Sequence, residues 1–236
     1  MNKLINNEVR DVNKQREYFE KFICNENDRT SEYKEMLNNG EVHKTMISIV
    51  KSTIVTMRFD ILIARYSNGD DIYDLKDEFM TLVGDWLLEW SSELYTKNLW
   101  FISMCILFNV DNSIFTKIKE KLKDDGVNDW IYNFLLNYPA QNIGQISGGL
   151  MFKKSYLCLK ELIESNCENE RVKLMKKYLK EWYKNHNDCG WHNSHKGSQN
   201  TYYGYWSFES RAVVKLLGIP DDSFNDDKYY PADFII

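Results

Sequence analysis

The stretch EVHKTMISIVKSTIVTMRFDILIARYSNGDD, residues 41–71, decides the fold class. Met46, Ile49, Val50, Thr53, Ile54, Met57, Ile61 and Ala64 recur at intervals of three and four, which is the repeat of one helical face and not the alternation of a strand. No Gly or Pro interrupts the run until Ser67-Asn68-Gly69, a helix stop, and Asp70 and Asp71 then stand where acids suit the start of the next helix.

The same period continues outward on both sides. Towards the C-terminus it predicts helices over 71–89, 93–108, 112–122, 128–137, 150–165, 169–185 and 203–217. Towards the N-terminus it predicts one over 7–23 and a short one over 31–38, parted by the polar run NENDRTS and started by Ser31 as a cap. Gly218, Ile219 and Pro220 end the last helix cleanly. Hairpin turns between alternating segments are missing, as is any fixed-period repeat. The fold class is therefore all-α, an irregular bundle of about eight to ten helices with no significant sheet. Pro139 and the QNIGQISGG run at 141–149 place a module boundary, giving residues 1–138 and 139–236 as two helical modules packed as one compact unit.

Composition narrows the function classes. The chain has 236 residues, 43% hydrophobic and 28% charged, with only 3 Pro, a profile of a folded helical protein. A net charge of −5 lacks the basic footprint of a nucleic-acid binder and favours a basic partner. LWFISMCILF, 99–108, is too short to span a bilayer and reads as a buried helix. The first residues carry no apolar leader, and five Cys form no CxxC pair, so reduced thiols and a cytoplasmic location are expected.

Three features carry candidate chemistry. HNDCGWHNSH spaces His186, Cys189, His192 and His195 three apart, all ligand types for zinc, but the spacing walks off a helix face and matches no finger or zincin pattern, so no metal or cofactor is expected. QISGGL places two glycines before a helix without a preceding strand or a lysine at phosphate-loop spacing, and reads as a join. Glu209 shares a helix face with Ala212, Val213 and Leu216, which turns a carboxylate inward among Tyr202, Tyr203, Tyr205, Trp206 and Phe208. Such a group needs a partner, and Lys196, His195, Arg10, Arg58 and Arg65 have the right charge. A structural lock is the stronger reading. Catalysis by Glu209 with His195 is the alternative, and a helical scaffold or regulatory protein is the third.

WHNSHKG (Trp191–Gly197), YYGYWSFESRAVVKLLGI (Tyr202–Ile219) and DDSFNDDKYYPADF (Asp221–Phe234) together resemble the C-terminal signature of the PoNi-type immunity proteins, cytoplasmic antidotes to PoNe-type polymorphic DNase toxins. Arg10, Asp11 and RYSNGDDIYDL (Arg65–Leu75) are similar, more loosely, to the family's N-terminal part. Ser210 and Arg211 depart from the small apolar residues that the pattern leads one to expect after the Glu. The resemblance implies a protein without catalytic residues or cofactor. Its partner would be a cognate DNase toxin domain, occluded at its active or DNA-binding face, with no nucleic acid or membrane as ligand; self-association is compatible with this. It implies a structural signature of Trp191, His195, Gly204, Tyr205, Trp206, Glu209, Gly218, Tyr230 and Pro231. The acidic residues Asp70, Asp71, Asp221, Asp222, Asp226 and Asp227, with Asp124 and Asp125, are candidates to meet a basic nuclease groove.

Overall fold

The computed structural model describes residues 8–137 and 146–234. Among the described residues there are nine α-helices and no strand; the one β-type pairing is an isolated parallel bridge between Asp129 and Gly149. Pro139 and residues 141–145 of the expected boundary lie outside the described residues, as does the expected helix start at Asn7.

The chain divides into two compact units, and the division is discontinuous. The first holds the described residues up to Trp90 together with Asn193–Gly204; the second holds Ser91–His192 and Tyr205 onward. The packing units thus part at Trp90, whereas the sequence places a module boundary at 138/139.

The first unit is built from α1 (Arg16–Asn38), α2 (Ile47–Asn68) and α3 (Ile72–Leu88), with α2 packed against both neighbours. Phe19 and Phe22 of α1, Phe59, Leu62 and Tyr66 of α2, and Leu75, Phe79 and Trp86 of α3 are buried. Phe59 and Trp86 meet with ring centroids 4.8 Å apart. Arg58 pairs with Asp85, and Arg65 with Glu78 and, at 2.6 Å, with Asp70, so charges stitch α2 to α3 beside the apolar seam. Gly69 closes α2 in a left-handed conformation (φ 96°). The amides of Gly69 and Asp70 turn back to the carbonyls of Tyr66 and Arg65, and Asp71 caps α3 by accepting from the amides of Tyr73 and Asp74.

α1 corrects the sequence reading: NENDRTS does not break it. That run holds no Gly or Pro, Glu26 and Thr30 are buried, and Glu26 pairs with Arg29 at 2.6 Å. Ser31 donates its hydroxyl to the Asn27 carbonyl one turn back, so the group expected to cap a new helix serves the existing one. Ahead of α1, Asp11 accepts from the amides of Asn13 and Lys14 and makes a turn where helix was expected.

The second unit comprises α4 (Tyr95–Leu107), α5 (Asn112–Asp124), α6 (Trp130–Leu136), α7 (Lys153–Glu164), α8 (Glu168–Asn185) and α9 (Phe208–Leu217). α4 lies inside it, with every residue from Asn98 to Leu107 buried, and packs on α6 and α9, while α7 packs on α8. Lys215 of α9 donates to the carbonyls of Ile106 and Leu107, both at 3.0 Å, and to Asn109 Oδ1, placing a cation at the negative end of α4. α9 begins at Phe208, five residues later than Tyr203, because Gly204 stands at φ 121°, outside helical space.

Candidate functional site

Glu209 sits at the first turn of α9 with 0% of its surface exposed. Its Oε1 accepts three hydrogen bonds, from the Tyr178 hydroxyl at 2.7 Å, the Trp182 indole N–H at 2.6 Å and the Ser207 hydroxyl at 2.7 Å. Tyr178 and Trp182 lie four residues apart on one face of α8, so one helix turn presents both donors. Its Oε2 has no hydrogen-bond partner among the described groups. Among the described residues Glu209 is held by these neutral donors, and none of the expected Arg10, Arg58, Arg65, His195 or Lys196 bonds its carboxylate. Buried beside its carboxylate, the Tyr178 hydroxyl has a pKa driven well above the phenol range, by desolvation first and by the Glu209 charge second.

His186 extends this polar interior. Its Nδ1–H donates to the Trp182 carbonyl at 2.6 Å, which leaves Nε2 to accept from the Tyr156 hydroxyl at 3.1 Å. Burial lowers its pKa, and the Glu209 charge opposes that only in part. The four residues of the His/Cys cluster go separate ways. His186 is buried, Cys189 lies 3.8 Å from the Thr96 hydroxyl, His192 stacks on Tyr183 at 4.2 Å, and His195 belongs to the first unit, 5.9 Å from the Tyr202 ring. Among the described residues no group of three or more His, Cys, Asp or Glu is placed to hold a metal ion. Burial raises the thiol pKa of Cys105, Cys158 and Cys189, which makes them poor nucleophiles.

The signature aromatics wall this interior. Trp191 stacks on Trp182 at 5.3 Å, with Trp100 at 5.8 Å and Tyr205 at 5.3 Å from its ring, and the Tyr205 hydroxyl donates to the Trp191 carbonyl. Tyr205 and Trp206 are buried. The tail returns to α9: the Ser207 amide donates to the Tyr229 carbonyl, and Arg211 donates to Asp221, to the Tyr230 hydroxyl and to the Phe234 carbonyl. Tyr230 and Pro231 are buried there, and Gly218 ends α9 at φ 61°. The two residues that depart from the expected pattern have clear roles, since Arg211 ties down the tail and buried Ser210 bonds the Ser207 carbonyl at 2.7 Å.

The first unit has its own clasp. The Tyr202 hydroxyl donates to Asp11 and accepts from Asn13 at 2.8 Å, and the Tyr202 amide N–H donates to the Tyr18 hydroxyl oxygen at 2.9 Å. Ser67 donates to the Tyr203 carbonyl, and Arg10 reaches the carbonyls of Tyr66 and Asp70 while its guanidinium lies over the Tyr66 ring. Arg10, Asp11 and the RYSNGD turn are therefore one cluster.

Of the eight acidic candidates, Asp71, Asp124, Asp125, Asp222 and Asp226 are exposed. Asp70 is engaged by Arg65 and Asp221 by Arg211, while Asp227 accepts from the Tyr229 amide and has its pKa raised by burial. Sequence reasoning missed Asp129, which is buried. It caps α6 through the amides of Ile131 and Tyr132, accepts from the Tyr95 hydroxyl at 3.0 Å, and takes the Met151 amide at 2.9 Å. An Asp directly before the apolar run WIYNFLL was the available signal.

A family model described as PoNe immunity protein (PoNi), N-terminal, matches residues 4–120, and one described as PoNe immunity proteins (PoNi), C-terminal, matches residues 127–234. The chain belongs to the PoNi family. No curated protein and no solved structure matches it significantly. As a PoNi protein it is an immunity protein and not an enzyme, and a toxin is its partner. Among the described residues no PoNi helix here is long and apolar enough to cross a membrane.

Proposed function

We propose that this PoNi protein acts in the cytoplasm by binding a DNase toxin and covering its active or DNA-binding face. The observation that carries the reading is the pair of family matches, to models named for immunity to PoNe, over residues 4–120 and 127–234. The chemistry supports it. A nuclease must attract a polyanion and so presents cationic surface, and this chain has a net charge of −5 with exposed carboxylates at Asp71, Asp124, Asp125, Asp222 and Asp226. Glu209, Trp206 and Tyr205 then serve as the lock that holds α9 in its unit, and not as reacting groups.

Silencing essentially every toxin molecule requires a Kd on the order of 1 nM or tighter, and an interface of about 1,200–2,000 Å² in total. Co-expression with a cognate PoNe-type DNase toxin, in a sensitive host, tests the reading. Survival, together with block of DNA cleavage by the purified pair, is expected. Cell death despite expression, with neither binding nor block of cleavage in vitro, would overturn it.

A further inference from the structure

Gly84 lies inside α3 and is exposed, and a Cβ built there meets nothing within 4 Å. Glycine is the poorest helix former after proline, and this one supplies neither a positive φ nor room for a neighbouring part of its own chain. Nothing among the described residues of its own chain accounts for a bare patch of backbone at this place.

The residues around it describe what covers it. At 100° per residue, Tyr73, Asp77, Met80, Gly84 and Leu88 fall within an arc about 80° wide. That arc faces away from the buried stripe of Leu75, Phe79, Leu82 and Trp86. Tyr73 is 64% exposed, Met80 45% and Leu88 78%, three large apolar side chains in line on one helix. Between Asp70 and Glu89 the chain has seven Asp and Glu against a single Lys. Arg58 and Arg65 of α2 engage Asp70, Glu78 and Asp85, whereas Asp74 and Asp77 stand exposed on and beside the apolar line.

We propose that this face of α3 is the surface that docks the toxin, and that it takes a cationic, nucleic-acid-binding part of the nuclease domain. Met80, Tyr73 and Leu88 form its apolar line, Asp77 sets a carboxylate within that line and Asp74 one beside it, and Gly84 is the point at which the partner's main chain approaches α3 most closely. Aromatic and Met side chains ringed by polar groups are the usual make-up of an interface centre. A second copy of this chain does not suit the face, because a two-fold contact would set Asp74 and Asp77 against their own kind. The proposal rests on the DNase-toxin reading above and adds to it the place of contact.

Gly84→Gln and, separately, Leu88→Ser test it, each measured by calorimetry against a catalytically inactive toxin nuclease domain, with melting curves and light scattering alongside. Both side chains point to solvent, so folding should persist, and Gly84→Gln should melt at or above the parent temperature. Each variant should bind the nuclease at least about tenfold more weakly. Parent-like affinity in both, while the parent itself binds, overturns the α3 surface and leaves the immunity reading standing. Failure of the parent to bind overturns both. Loss of a self-associated form in Gly84→Gln with toxin affinity intact assigns the face to a second copy and also overturns the proposal.

Discussion

At the scale of single residues, the buried polar interior behind α9 sets the most demanding test. Glu209→Ala leaves the Tyr178 hydroxyl, the Trp182 N–H and the Ser207 hydroxyl without their acceptor, inside a region closed to water. The expected cost is roughly 2–4 kcal/mol, and Trp206→Ala should cost roughly 3–5 kcal/mol through the cavity it opens. Denaturant melts of both variants check this; unchanged stability in both, with loss of protection, would mean that the pair acts on the toxin instead. His186 supplies a pH dependence. Its unfolded imidazole titrates near 6.5, and burial holds the folded value lower, so the folded state binds fewer protons. Stability is therefore full above about pH 6.5 and falls as pH drops through 6.5 towards the folded value. Asp227 works in the opposite sense at lower pH: its raised folded pKa lets the native state take up a proton first, adding stability as pH falls towards 3.8. Between pH 7.5 and 5.5 the melting temperature should drop more in the parent than in His186→Gln.

At the scale of elements, Asp129 holds more than a helix start. Besides capping α6, it binds the Met151 amide beyond the 138–145 segment, and Asn133 adds a bond to the Ser147 carbonyl. Asp129→Ala should cost roughly 3 kcal/mol, above the ~1 kcal/mol of an ordinary cap, because the Tyr95 hydroxyl and three amides lose their acceptor together; Asp71→Ala at α3, exposed to water, is the matched cap for comparison in urea titrations. What the sequence made legible follows the same division between local and distant causes. The α2 stripe, its Gly69 stop and the Gly218 stop were readable because periodicity and a left-handed glycine act within a few residues. The unbroken α1 was not, since NENDRTS reads as a loop until Glu26 and Thr30 find burial. The late start of α9 was missed because the backbone of Tyr202–Ser207 answers to Tyr18, Ser67 and Tyr229, far off in the chain. The inward turn of Glu209 was legible from its helix face. Its three neutral donors were not, because two of them come from α8.

At the scale of the whole molecule, charge should govern the speed of toxin capture more than its endurance. Raising salt from 50 to 500 mM should slow association of the parent steeply and change dissociation little, and Asp222→Lys with Asp226→Lys should flatten that salt dependence without unfolding the protein. Stopped-flow mixing reads both, and a salt-independent on-rate would count against electrostatic steering. The discontinuous division of the chain has a different kind of consequence, for synthesis. Asp11 and Tyr18 leave the ribosome long before the tyrosine they bond, which lies 191 and 184 positions later, and Asn193–Gly204 is made only after the Ser91–His192 part of the second unit. The first unit thus waits on translation: its three helices can collapse early, but their clasp closes when the ribosome has passed residue 204. A prematurely terminated product ending within α8 therefore lacks both the Glu209 interior and the clasp on the first helices, and gives quality-control proteases two unfinished units rather than one finished half.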